Sequence, residues 1–331
     1  MKVIALEEHF TTRAVLEANA GHPGLAMLGA ADDQQLTPAR AERMRQLTDL
    51  GELRLAVMDA AGIDVHVLSQ VSPGPEELPA DVAIPLATQT NDLIAEKISA
   101  HPSRFAAFAT LPMHDPDAAA KELARAVGDL GFVGTLINGH IGGRYLDDQF
   151  FWPVFEAAQS LQVPVYLHPN RPPQPVIDAS YSGFSPIVSD MLATSAWGWH
   201  IDTGLHVLRL IIGGVFDRFP RLQMIIGHQG EALPSMLWRA DLVLNRVVDL
   251  DKPVKDYFRE HFSITISGIN DDVAFAGALN TVGIDRVMFS ADYPFNCSAE
   301  AREFLEGLSI DQSDREKIAH GNAERLLKLD L

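Results

Sequence analysis

The chain has 331 residues, 47% of them hydrophobic and 21% charged, the balance of a globular protein and a length that one α/β barrel with insertions can fill. A net charge of −18 excludes partners that need a basic patch, so neither nucleic acid nor an anionic membrane surface is expected. No apolar run approaches the roughly 20 residues of a membrane span. The single cysteine, Cys297, can form no internal disulfide, which points to a reducing cytoplasm.

In chain order, residues 2–9 form an apolar run that ends in Glu7, Glu8 and His9. As a strand, its period-two alternation puts Glu7 and His9 on one face and turns Glu8 away. Residues 11–33, rich in Ala and Gly, read as a long loop with some helix. Met44, Leu47, Leu50, Leu53 and Val57 fall at helical spacing and predict a helix over 38–57, closed by Gly62. A strand follows over 63–69, turn chemistry over 71–75, a helix over 82–100 and a strand over 104–110.

The next units are a helix over 116–130, a strand over 132–138, a helix over 151–161 and a strand over 163–168 that Pro169 stops. A proline-rich insert spans about 170–198, with Trp197 and Trp199 at its end, before an apolar helix over 205–215. A strand over 222–228, a helix around Trp238, an extended segment over 262–267, a helix over 273–282, a strand over 286–290 and a helix over 311–327 complete the chain. Eight short apolar strands alternating with amphipathic helices predict a (β/α)₈ TIM barrel, in one domain across residues 1–331. No G-x-G-x-x-G or Walker-type phosphate loop follows any strand, which disfavours a nucleotide-binding sheet.

The strand ends carry the chemistry. The first ends in Glu7 and His9, the fifth in His168 and the sixth in His228, and Asp292 follows the eighth. A barrel gathers all strand ends on one face. Two imidazoles and two carboxylates suit one divalent cation, Mn²⁺ or Zn²⁺ first and Mg²⁺ third. His228 lies in Gly227-His228-Gln229-Gly230-Glu231, where it is either a further ligand or a general acid/base oriented by Glu231; the second role is preferred. His66, His101, His114, His206 and His261 are read as structural. Trp197, Trp199, Tyr293 and Phe295 are candidates for an aromatic substrate wall.

These residues resemble the amidohydrolase-related decarboxylases, specifically the γ-resorcylate, 2,3-dihydroxybenzoate and salicylate decarboxylase group. The resemblance runs through Ala5-Leu6-Glu7-Glu8-His9-Phe10, Tyr166-Leu167-His168-Pro169, Gly214-Val215-Phe216-Asp217-Arg218-Phe219-Pro220, Ile226-Gly227-His228, Trp238-Arg239 and Phe289-Ser290-Ala291-Asp292. It implies one divalent metal held by Glu7, His9, His168 and Asp292, and non-oxidative loss of CO₂ from an ortho-hydroxybenzoate. Asp292 would protonate the ring carbon, His228 with Glu231 would tune protonation nearby, Arg239 would help bind substrate or the neighbouring subunit, and Asn138 and Phe295 would line the substrate pocket. It also implies a homo-oligomer, with the Trp238-Arg239 helix as the candidate interface.

Hydrolytic relatives typically begin with His-x-His and carry a bridging lysine after the fourth strand. Here Glu7 replaces the first His and residues 134–142 contain no lysine, so one metal is expected. The alternative is a mononuclear hydrolase or hydratase acting on a lactone, amide or related carbonyl with much the same ligands; a non-catalytic relative of the fold is disfavoured because all four ligand positions are intact.

Overall fold

The computed structural model describes residues 1–22, 24–28 and 37–330. All eight expected strands are present: β1 (Ile4–Phe10), β2 (Val65–Gln70), β3 (Phe105–Ala107), β4 (Thr135–Asn138), β5 (Val165–His168), β6 (Met224–Ile226), β7 (Phe262–Thr265) and β8 (Val287–Met288). Every strand is buried along its length, as parallel strands covered by helices on the outside must be. Ladders run β1-β2-β3 and β4-β5-β6-β7-β8, all parallel. The bridge between Ala109 and Thr135 joins the two sheets. The fold is a (β/α)₈ TIM barrel.

No strand ladder joins β8 to β1 among the described residues; the backbone bond from His9 N–H to Tyr293 O at 2.8 Å and several side chains close that seam. Ser290 Oγ accepts from Glu7 N–H at 2.7 Å, and the Glu8 carboxylate accepts from Ser290 Oγ, Ala291 N–H and Tyr293 N–H at 3.0, 2.8 and 3.2 Å. Glu8, turned away from Glu7 as alternation requires, thus fastens the segment that carries Asp292.

A β-bulge in β1 alters the alternation just before the site. Ala5 pairs with His66 and Glu8 with Leu68, so Leu6 and Glu7 together oppose Val67. Leu6 fills the barrel interior beside Val67, Tyr166 and Ile225, and Glu7 forms the next layer above it instead of facing outward.

Three helical expectations change. The helix expected over 38–57 is two helices, Pro38–Thr48 and Glu52–Ala61, because Asp49 Oδ1 accepts from Gly51 N–H and Arg54 N–H and starts the second one. The C-terminal helix is interrupted by a π-helical turn at Lys317–Gly321. Two helices that periodicity did not mark, Val254–His261 and Ser298–Gly307, precede β7 and follow β8. The expected loop over 11–33 contains helices Arg13–Ala18 and Gly24–Leu28; Pro23 and residues 29–33 lie outside the described residues.

Candidate metal centre and active site

The opening strand sets the floor of the site. Glu7 is fully buried, and its two oxygens have different surroundings. Oε2 accepts from the hydroxyls of Tyr166, Ser267 and Thr265, the last at 3.4 Å. Oε1 has no hydrogen-bond partner. It lies 3.1 Å from His168 Nε2, 3.7 Å from His228 Nε2 and 4.0 Å from His9 Nε2. His9 Nε2 is also buried without a hydrogen-bond partner and stands 3.4 Å from Asp292 Oδ1. Its Nδ1 is 3.1 Å from Ser69 Oγ, which orients the ring.

Orphaned buried donors and acceptors are rare unless a ligand completes them. Here two of them, Glu7 Oε1 and His9 Nε2, lie with His168 in a group whose ligand atoms are all within 4.8 Å of one another, with Asp292 adjoining. This N/O donor set fits a borderline or hard dication such as Zn²⁺ or Mn²⁺.

The electrostatics agree. Burial alone would raise the Glu7 carboxyl, but His228, His168 and His9 hold it well below the usual range, so it is ionised. Burial lowers the His168 imidazole and keeps it neutral, the form that ligates.

Close backbone approach makes this cradle possible. A Cβ on Gly227 would lie 2.7 Å from Glu7 Oε2 and 3.1 Å from both Ser267 Oγ and Tyr166 Oη, so only glycine leaves room for the carboxylate and its donors. After β6 the chain turns left-handed, with φ of 49° at His228 and 55° at Glu231. This brings Glu231 Oε1 to 2.8 Å from His228 Nδ1. Burial opposes protonation of His228, yet Glu231 and Glu7 raise it well above the ordinary imidazole value. Asp292 also has a positive φ, 63°, and its Oδ2 lies 3.9 Å from His228 Nε2 and accepts from Asn296 Nδ2 at 2.7 Å. Left-handed non-glycine residues concentrated at one place are a mark of functional sites.

A cavity of about 1360 Å³ opens above these groups, with His168, His228 and Asp292 in its wall. Trp197, Trp199 and Phe295 line it, and Phe295 packs edge-on to His9 at 5.7 Å. Arg40, Arg43 and Arg171 also line the cavity, together with Asp271 and with Asp190, which pairs with Arg171.

Three assigned residues lie elsewhere. Tyr293 is buried behind the site, directly after the left-handed Asp292, with the Arg54 guanidinium 4.6 Å above its ring. Arg239 is exposed on the outer face of helix Leu233–Leu244 and does not line the cavity. Asn138 is buried beside it, in a small separate void with Gln70, Glu76 and Thr110, where its Nδ2 donates to Glu76 Oε1 at 2.9 Å.

Glu76 has a consequence for stability. Burial, with Glu77 next to it, pushes its carboxyl up to about 7. The protonated form is therefore favoured by folding: this stability is full below the unfolded value of 4.5 and is lost as pH rises through 7. Glu76→Gln is expected to flatten the fall in unfolding free energy over that window and to gain up to about 3 kcal/mol at pH 8. Urea unfolding at pH 5 and 8 checks it; an unchanged pH slope would contradict it.

Sequence reasoning did not single out Tyr166, Thr265, Ser267 or His200. Tyr166 stands two residues before His168 and Thr265 two before Ser267, so strand alternation was a usable signal for the first three. His200 ends no strand and carried none.

The model of the family described as amidohydrolase matches residues 52–329. The chain belongs to the amidohydrolase family. Within it, the chain is 40% identical over 341 residues to the γ-resorcylate decarboxylase of Rhizobium sp. (strain MTP-10005), covering 99% of this chain and 98% of that one. A crystal structure of 2,6-dihydroxybenzoate decarboxylase complexed with 2,6-dihydroxybenzoate superimposes with a TM-score of 0.86 at 37% identity, over 100% of both chains. The dihydroxybenzoic acid decarboxylase of Polaromonas sp. JS666, solved with bound manganese and the inhibitor 2-nitroresorcinol, gives 0.87 at 35% identity, over 100% of this chain and 98% of that one. This amidohydrolase is accordingly an enzyme of the decarboxylase, or carboxy-lyase, group.

Proposed function

We propose that the chain is a divalent-metal-dependent decarboxylase of ortho-hydroxybenzoates, with 2,6-dihydroxybenzoate, 2,3-dihydroxybenzoate and salicylate as the first candidates. The observation that carries this reading is the unpartnered Glu7 Oε1 facing His168 and His9, beside Asp292, in a chain so similar to γ-resorcylate decarboxylases along its whole length. Glu7, His9, His168 and Asp292 would hold the ion, Mn²⁺ or Zn²⁺. When bound, it supplies Lewis-acid stabilisation of negative charge on the oxygens of an aromatic acid.

The residues then divide the remaining work. Trp197, Trp199 and Phe295 give the ring an apolar wall, and Arg40 and Arg43 are cationic partners in the lining for an aromatic acid. Asp292 delivers a proton to the ring carbon that bears the carboxylate. The C–C bond then breaks, its electron pair returns to the ring, aromaticity is restored and CO₂ leaves. His228, held by Glu231, exchanges the proton with Asp292. Screening those three acids by ultraviolet absorbance with Mn²⁺ or Zn²⁺ should show turnover of at least one. No turnover of any, with hydrolysis of a lactone or amide instead, would overturn the reading in favour of a hydrolase.

In this reading one barrel domain spans residues 1–331, and the chain is a homo-oligomer in the cytoplasm, where exposed Cys297 stays reduced. Helix Leu233–Leu244 is the subunit contact: Trp238 is 72% and Met236 57% exposed, an apolar surface costly to leave in water. Arg239 on that helix would act at this contact rather than in its own cavity. Light scattering should give a multiple of 36.2 kDa that Trp238→Glu reduces to the single-chain mass; a wild-type monomer would contradict it. Recovery of the chain outside the cytoplasmic fraction of its cell would contradict the location.

A further inference from the structure

The proline-rich insert leads into a second chain of hydrogen bonds at the site. His200 lies in the first turn of helix Gly198–Ile212, directly after the insert, and borders the cavity. Its Nδ1 is 2.6 Å from Glu231 Oε2, while Glu231 Oε1 is 2.8 Å from His228 Nδ1. One carboxylate, 1% exposed, therefore bridges two imidazoles.

The protons can be assigned from the partners. An ionised carboxylate only accepts, so both Nδ1 atoms must carry hydrogen. Burial would raise Glu231, but His228 and His200 hold it below the usual range and keep it ionised. On the far side of the His200 ring, Nε2 accepts from the Trp199 indole N–H at 3.1 Å, and Ser195 O lies at the same 3.1 Å. The indole N–H only donates and the Ser195 carbonyl only accepts, so Nδ1–H is set by the Glu231 carboxylate, while Trp199 and Ser195 together hold the ring in place.

Glu231 sits on a left-handed turn with His228 and can rotate only about its own side chain. With Oε2 unheld, its carboxylate is free to turn from His228, and the His228 ring loses the partner that fixes its tautomer. His228 Nε2 is the nitrogen that stands 3.9 Å from Asp292 Oδ2 and 3.7 Å from Glu7 Oε1.

We propose that His200 is a positioning residue for this site: held by Trp199, it locks Glu231 so that His228 keeps Nδ1–H turned inward and presents Nε2 to Asp292 and the substrate. The assignment rests on the reading of His228 as the group that exchanges a proton with Asp292. It also gives the insert a task, because the insert places Trp199 and His200 against the barrel mouth.

The test uses His200→Leu, which removes the donor, and His200→Asn, whose amide N–H stands near the place of Nδ1–H. In the metal-loaded enzyme, His200→Leu is expected to lower kcat about tenfold to 100-fold with KM little changed and metal content unchanged, and His200→Asn to recover most of the loss. Unchanged kcat in His200→Leu, or equal loss in both variants, would overturn the proposal. Proton NMR of the zinc-loaded resting protein reads the same chain without turnover. The wild type should show two imidazole N–H signals downfield of the amides; His200→Leu should lose one and shift the other, which Glu231→Gln assigns. A His228 signal unmoved in His200→Leu would overturn the proposal even if substrate is turned over, whereas failure to decarboxylate any ortho-hydroxybenzoate, with the NMR pattern intact, would strike the functional reading alone.

Discussion

Glu7→Gln is expected to empty the metal centre, taking metal content from about one ion per chain to near zero and turnover down by more than the ~100-fold typical of losing a supporting partner. The reason lies in the unequal oxygens of the carboxylate. Tyr166, Ser267 and Thr265 donate to Oε2, so the glutamine carbonyl is drawn there. The amide nitrogen then replaces Oε1, 3.1 Å from His168 Nε2, with no lone pair for a cation. The substitution removes one negative charge and keeps the shape, so the barrel should fold. Atomic absorption on the purified variant beside the wild type measures the ion; full metal content with wild-type turnover would remove Glu7 from the centre.

Asp292→Asn should separate holding substrate from converting it. A positioned acid contributes roughly 10²–10⁴-fold to rate, and the loss of kcat should fall in that range. Glu7, His9 and His168 remain to hold the ion, and the apolar wall remains to hold the ring, so binding of an unreactive aromatic acid, followed by fluorescence quenching, should change far less than kcat. Asn296 Nδ2 donates to Oδ2 at 2.7 Å and would favour the asparagine oxygen there, leaving the new amide toward His9. A variant within tenfold of wild-type kcat would rule out Asp292 as the proton donor.

The barrel was legible because its signal is local. Eight short apolar runs bounded by turn residues marked eight strands, and period-two alternation correctly put Glu7 with His9 and turned Glu8 away. The β1 bulge was not legible, since extra residues in a strand show only against their partner strand. Without it, Leu6 and Glu7 would face opposite sides and Glu7 would miss the hydroxyls of Tyr166 and Thr265. The break at Asp49-Gly51 was hidden because its apolar residues keep helical spacing across a capped restart.

Among site residues, Glu7, His9, His168, His228 and Asp292 converge because each follows or ends a parallel strand. The places of Arg239, Asn138 and Tyr293 turn on side-chain direction, which sequence spacing does not give. Arg239 projects from a helix surface, Asn138 is held by Glu76, and Tyr293 lies beyond the left-handed turn at Asp292. His200 reaches Glu231 only through tertiary packing of the insert, 31 residues away in sequence.

The most direct test is to incubate the metal-loaded chain with 2,6-dihydroxybenzoate in D₂O and examine the product by proton NMR. The account predicts stoichiometric CO₂ and 1,3-dihydroxybenzene with one deuterium, at the carbon that carried the carboxylate, dependent on Glu7, Asp292 and added divalent metal. If the other ortho-hydroxybenzoates likewise give no CO₂, or if equal product forms after the metal is stripped by a chelator, the central claim is contradicted.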